Sequence, residues 1–192
     1  KLNIELWNFS HKGSWDRNKH FLQWGISVEQ SKINDILKQW QYQDSAGYSL
    51  PYTPGIMTLF SNWNSKANLH INRFSGYVQD NMHFQLNTSD ISLQAGIRFN
   101  YNNLNKENLI SPRMQVSLKP GWKKDMVFKL AAGIYNQPPF YRELRRYDGT
   151  LNTNVKSQKS IQFVAGWDYN FKGIASRPFR LTAEAYYKQM SD

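Results

Sequence analysis

Arginine and tyrosine crowd into one short stretch, "NQPPFYRELRRYDGTLNTN" from Asn136 to Asn154, where Tyr141, Arg142, Arg145, Arg146 and Tyr147 are close neighbours. A guanidinium fork makes paired hydrogen bonds to carboxylates, and a phenol ring offers a face that stacks on sugars. The combination suits a glycan or an anionic chelate. Trp40 and Tyr42, in another long connection, add aromatic faces of the same kind. The candidate ligand contacts are therefore Trp40, Tyr42, Arg145, Arg146, Tyr147 and Asn152. The bland alternative is a loop that packs on itself. Pro138 and Pro139 stiffen the backbone, Phe140 and Tyr141 fill a small cluster, Arg142 belongs to the same scaffold, and Glu143 pairs with an arginine. For "PPFYREL" this scaffold role is favoured, and ligand contact is expected in the less regular segment from Arg145 to Asn154.

No catalytic constellation accompanies these groups. His11, His20, His70 and His83 show no metal-ligand spacing, and there is no nucleophile elbow, phosphate loop or Gly-rich dinucleotide turn. The chain has no Cys, so a disulfide scaffold and a thiolate metal site are excluded. Neither a metal nor a cofactor is expected. The formal charge of +10 invites a nucleic-acid reading. The basic residues are scattered, however, and the densest group, "YRELRRYD", carries acids among them, so nucleic acid is not expected as a partner.

The elements that would position the loop alternate with period two. In "ISLQAGIRFNY", Ile91, Leu93, Ala95, Ile97, Phe99 and Tyr101 share one face, opposite Ser92, Gln94, Gly96, Arg98 and Asn100. "RMQVSLK", "MVFKLAAGIY", "IQFVAGWDYNF" and "FRLTAEAYYK" repeat the pattern. Weaker alternation near Leu2 and Leu22 brings the expectation to about eight strands and no helix. Between Asn68 and Leu86 the alternation changes phase, which reads as a bulge. Pairing of the strands that flank "KGIASRP" brings Asp168 towards Arg180 or Thr182, most simply as an ion pair on the polar face that fixes register. Arg98 and Arg113 fall on the polar faces of neighbouring strands.

Short links rich in Gly, Pro, Asn and Asp ("NTSD", "KPGWKKD", "KGIASRP") take turns with longer ones. Antiparallel strands return to one side every second link, so the long connections gather at one end and the tight turns at the other. A transmembrane β-barrel has this asymmetry. Aromatic residues make up 15% of a chain whose mean hydropathy is only -0.68, a pairing that fits a barrel with a polar lumen and aromatic girdles. No stretch approaches the roughly 20 apolar residues of a spanning helix. A soluble β-sandwich using its aromatics on carbohydrate is the alternative, and an outer-membrane barrel enzyme is a weaker one. Strand lengths that reach or exceed nine to eleven residues favour the barrel, as do aromatics near both strand ends.

The blocks "SGYVQDNMHF", "GIRFNY", "SPRMQVSLKP", "AAGIYNQPPFYREL", "GTLNTNVKSQKSIQFVAGWDYNF" and "RPFRLTAEAYYK" follow one another through most of Ser75 to Lys188. In them the chain resembles the barrel of TonB-dependent outer-membrane receptors. The resemblance implies a 22-stranded barrel around an N-terminal plug, importing a scarce glycan, peptide or metal chelate with energy relayed by TonB. Eight strands cannot close such a barrel, and no plug segment is visible. Residues 1–192 are thus expected to be part of the wall of a larger receptor in the Gram-negative outer membrane. The implied partners are outer-membrane lipid and lipopolysaccharide, the plug, TonB through that plug, and a surface lipoprotein.

Overall fold

The computed structural model describes residues 1–43, 58–146, 148–173 and 177–191. They form one antiparallel sheet of eight strands in chain order. The strands are β1 (Leu2–Arg17), β2 (His20–Gln43), β3 (Thr58–Leu86), β4 (Ser89–Asn102), β5 (Glu107–Lys119), β6 (Asp125–Gln137), β7 (Gln158–Lys172) and β8 (Pro178–Ser191). Among the described residues, β1 and β8 each pair on one side only and no second sheet covers the first. The sandwich alternative needs two packed layers, and it falls on that point.

The two faces differ from β4 to β8. Ile97, Met114, Leu130, Phe163 and Leu181 all stand exposed on one face. In a globular core they would be covered; here they form a continuous apolar band. The opposite face is polar, and rungs can be followed across the sheet through the register. One runs from Gln79 through Gly96, Arg113 and Gly133 to Gln162 and Lys188.

Glycines let large rings lie flat on this wall. The Tyr77 ring covers Gly25 so closely that a Cβ there would sit 2.4 Å from it, and the Tyr135 ring covers Gly133 at 2.9 Å. A glycine in a strand interior is weak by itself, but a neighbouring aromatic that fills its space restores packing. The two-residue turns at Asn18–Lys19 and Asn87–Thr88 need a left-handed residue, which Asn18 and Asn87 supply at φ 55°. These turns share one end of the sheet with the links at 120–124 and 173–177. The other three connections lie at the opposite end.

At that opposite end β2 and β3 continue as a paired ribbon, far beyond their neighbours. β3 is 29 residues long and pairs with β4 only from Arg73 onward. The remainder, Thr58 to Asn72, projects by roughly 50 Å at about 3.3 Å per residue. In this ribbon the faces exchange character. Ile33, Leu37, Ala67, Leu69 and Ile71 now occupy the face that is polar lower down, while Lys32, Asn34, Lys38, Asn64, Lys66 and Asn68 occupy the other. Ile33, Ala67 and Ile71 are buried. The phase change expected as a bulge near Gly76–Phe84 is therefore a change of environment along a strand whose pairing with β4 is unbroken. The register shift lies elsewhere, between Gln41 and Tyr42.

Candidate functional site

The stretch from Pro138 to Ser157 is an ordered excursion. Pro138 and Pro139 lead it away from β6, and a single 3-10 turn, Tyr141–Leu144, follows. The Glu143 carboxylate accepts from the Phe140 backbone N–H at 2.9 Å, closing that turn. Beyond it Arg145 and Leu151 make an isolated antiparallel bridge. The tip between them is a tight turn in which the Gly149 N–H donates to the Arg146 carbonyl at 3.0 Å. Asp148 accepts from the Thr150 N–H at 2.9 Å and from its hydroxyl at 2.6 Å. Those bonds hold the Asp148 carboxyl below its ordinary pKa, the Thr150 hydroxyl contributing most.

The excursion folds onto the ribbon, against the face where Ile33, Ala67 and Ile71 are buried. Leu144 is 1% exposed, the most deeply buried side chain of the described residues. Asp35 of β2 fixes the contact: its carboxylate accepts from the Tyr141 hydroxyl at 2.9 Å and from Arg145 Nη2 at 2.5 Å. The Arg145 and Asp35 side chains are only 16% and 13% exposed, so the pair is partly withdrawn from water. Burial pushes the Tyr141 phenol above its ordinary pKa; the Asp35 carboxylate acts in the same sense and Arg145 opposes it. The Ser65 hydroxyl donates to the Gly149 carbonyl at 2.5 Å. At Gly149, φ is +82° and a Cβ would lie 2.9 Å from Ser65, so glycine is required twice over. On the other flank, Glu107 at the start of β5 accepts from the Ser157 backbone N–H at 3.0 Å and from its hydroxyl.

The structure divides the candidate ligand contacts. Arg145 is committed to Asp35 and Tyr141, a fixing role the sequence could not separate from ligand contact. Arg146 is exposed and, like the scaffold candidate Arg142, has no ion pair among the described residues. The Asn152 amide oxygen accepts from the Asn154 N–H at 3.2 Å, a local turn bond. Trp40 and Tyr42, expected in a loop, stand exposed on β2. Tyr147 lies outside the described residues. Asp35, which organises the site, was not singled out in the sequence, because its partner Arg145 lies 110 positions away and leaves no local pattern.

On the polar wall below, Asp168 is 3% exposed and accepts from Lys129 Nζ at 2.5 Å, Arg180 Nη2 at 2.7 Å and the Thr182 hydroxyl at 2.8 Å. The expected partner Arg180 is present, and Lys129 is the one that sequence reasoning missed, because it arrives from β6 on the far side of β7. Arg113 Nη2 donates to Gln79 Oε1 at 3.0 Å, and Arg98 and Arg113 line the same concavities along the wall. Among the described residues no His, Asp or Glu cluster could hold a metal. The one His–carboxylate contact among the described residues, His20 Nδ1 to Asp80 Oδ2 at 2.7 Å, lies on the apolar face beside a tight turn.

The geometry is that of a membrane wall: an apolar band on one side, a polar face with charged clusters on the other, and one end built up into a folded ribbon and loop. Residues 3–192 match the family model described as TonB dependent receptor-like, beta-barrel. No curated relative and no solved structure matches the chain. The matched family is one of outer-membrane receptors and not of enzymes. The chain belongs to the TonB-dependent receptor-like β-barrel family.

Proposed function

We propose that residues 1–192 form part of the wall of a receptor that imports a scarce nutrient across the Gram-negative outer membrane, with energy relayed by TonB through a plug seated against the polar face. One observation carries this reading. The excursion 138–157 is docked on the ribbon at the end opposite the tight turns, so this loop and the ribbon together build a shaped mouth above the polar wall. Barrels of this class place short turns in the periplasm and long loops outside the cell. The free edges of β1 and β8 are paired in the whole receptor, because hydrocarbon tolerates no unpaired strand edge.

At the mouth, Arg145 and Tyr141 serve as scaffold, while Arg146 and Arg142 present guanidinium groups that have no ion pair among the described residues. A carboxylate-bearing or otherwise anionic cargo suits those groups, since each offers a planar fork to two oxygens. Trp40 and Tyr42, higher on the ribbon, suit stacking on a sugar ring or contact with a surface lipoprotein.

The test is fractionation followed by uptake. The receptor should partition with outer membranes, show heat-modifiable gel mobility, and support growth on its limiting nutrient only when TonB is present. Recovery as a soluble protein without detergent would overturn the membrane reading, and growth independent of TonB would overturn the energy relay.

A further inference from the structure

The outward face of the ribbon carries a pattern that import does not use. Below it the apolar band ends at the row Phe9, Val28, Phe74 and Tyr101, direct partners across four strands. One row higher stands Trp7, 76% exposed. Above that the register lines up Glu5 with Lys32 and His70, then Asn3 with Asn34 and Asn68. Ile36 with Lys66 and Lys38 with Asn64 follow. These rows begin roughly 13 Å and end roughly 33 Å along the strand beyond Phe74, and the docked loop covers only the opposite face. Asn is disfavoured in strands, and Thr would wet the same surface while fitting the pleat better. The amides are also unspent. Asn3, Asn34, Asn64 and Asn68 make no side-chain hydrogen bond among the described residues, whereas on the lumen face Gln79 donates to Gln23 at 2.8 Å and Asn81 accepts from Ser92 at 3.0 Å. Lys32, Lys38 and Lys66 have no ion pair among the described residues, and Glu5 is the one acid described among them.

We propose that this face binds the head of a phosphorylated glycolipid of the outer leaflet, with its phosphates on Lys32, Lys38 and Lys66 and its sugar hydroxyls on the row Asn3, Asn34 and Asn68. The proposal rests on the orientation adopted above, with the long connections outside the cell. A carboxamide donates and accepts at once, which matches a ring of hydroxyls, and an ammonium takes a phosphate as a point charge. Charge complementarity thus selects a phosphorylated head, and the amide row selects a saccharide over a plain anionic lipid. Position selects a membrane-bound ligand over a free one. The face rises without a break from the aromatic row at the edge of the hydrocarbon, so acyl chains lying on Phe9, Val28 and Phe74 carry their heads against the amides. The cargo mouth lies on the other face of the ribbon.

The experiment uses the whole receptor in detergent micelles. Native mass spectrometry follows the binding of a rough-type lipopolysaccharide, with its deacylated core oligosaccharide and dioleoyl phosphatidylglycerol as comparison probes. Each lysine beside an anionic surface contributes about fivefold in affinity, so K32Q/K38Q/K66Q should weaken lipopolysaccharide binding by at least about tenfold. N34T/N68T keeps every charge and favours the strand; it should weaken lipopolysaccharide by about threefold and leave phosphatidylglycerol unchanged. K123Q/K124Q/K172Q removes as many charges at the tight-turn end and should stay within about twofold of the unmodified receptor. Unchanged binding in K32Q/K38Q/K66Q overturns the site, as does equal loss in K123Q/K124Q/K172Q, which would mean diffuse attraction to a basic protein. Equal affinity for the deacylated oligosaccharide would make the face a site for free glycans, and equal affinity for phosphatidylglycerol would make it a plain anionic patch; either overturns the proposal. Arg146→Cys tests the orientation separately, since residues 1–192 contain no Cys. No labelling at position 146 by a membrane-impermeant maleimide in intact cells would bring down the outside placement of the mouth, whereas labelling with unchanged lipopolysaccharide binding in K32Q/K38Q/K66Q would bring down the glycolipid site alone.

Discussion

Below Phe74 and above it, β2 and β3 obey opposite rules. In the lower part Leu22, Trp24, Ile26 and Val28 of β2 face outward, as do Phe74, Val78, Met82 and Phe84 of β3, while Gln23, Ser27, Gln79 and Asn81 face the lumen. In the upper part Lys32, Asn34, Lys38, Asn64 and Lys66 are among the outward positions, with Ile36, and Ile33, Leu37, Ala67 and Ile71 are among the inward ones, with Asp35 and Ser65. The backbone ladder is the same throughout. What changes is the solvent on each side: hydrocarbon outside and water inside for the lower part, then water outside and a folded loop inside for the upper. The side-chain pattern of a strand therefore records which of its faces is dry.

The sharpest way to break the comparison is to move one kind of residue into the other region. Leu130 stands exposed at the centre of the outward band of β6. Leu130→Arg should cost about 3 kcal/mol, as a cation on a lipid face near the bilayer midplane does. Lys66→Leu, on the outward face of the ribbon, should change stability by no more than about 0.5 kcal/mol. Denaturant unfolding in vesicles measures both, and equal effects would remove the distinction between the two regions.

Next in size is the joint between loop and ribbon. Asp35→Ala strands Arg145 in a partly dry contact and removes the acceptor for Tyr141, at a cost of about 2 kcal/mol. The loss should appear as faster proteolysis within 138–157, while the heat-modifiable transition of the barrel stays near its original temperature. If the barrel melts together with the loop, the upper core and the lower wall are one cooperative unit after all.

Period-two alternation from Ile91 to Lys188 defined the strands and their outward faces, because one environment acts along each of those strands. It misled in β3, where the exchange of wet and dry sides looks like a slip in phase, and on Trp40 and Tyr42, where polar outward residues disguise a strand as a loop. The Asp168–Arg180 contact followed from hairpin pairing, which is local. Lys129 on Asp168 and Asp35 on Arg145 did not, since both depend on neighbours that only the folded sheet brings together. Asp35 and Arg145 are 110 positions apart in the chain.

The smallest expected effect concerns Tyr141, and it separates burial from charge in holding the loop. Tyr141→Phe keeps the ring against the ribbon and removes the hydrogen bond donated to Asp35 and the one accepted from Arg145, a loss of about 1.5 kcal/mol. In the folded receptor the phenol titrates above its ordinary value of 10.0, chiefly because it is shielded from water. A group whose folded pKa is raised stabilises the fold fully below its unfolded pKa, and that stabilisation is lost as pH climbs towards the folded one. Loop docking should therefore hold steady through neutral pH and weaken as the medium passes above about pH 10. In Tyr141→Phe this alkaline step should be absent, although docking is weaker at every pH. Hydrogen exchange across residues 138–157 measures it, and an alkaline step of the same size in Tyr141→Phe would assign the titration to another group.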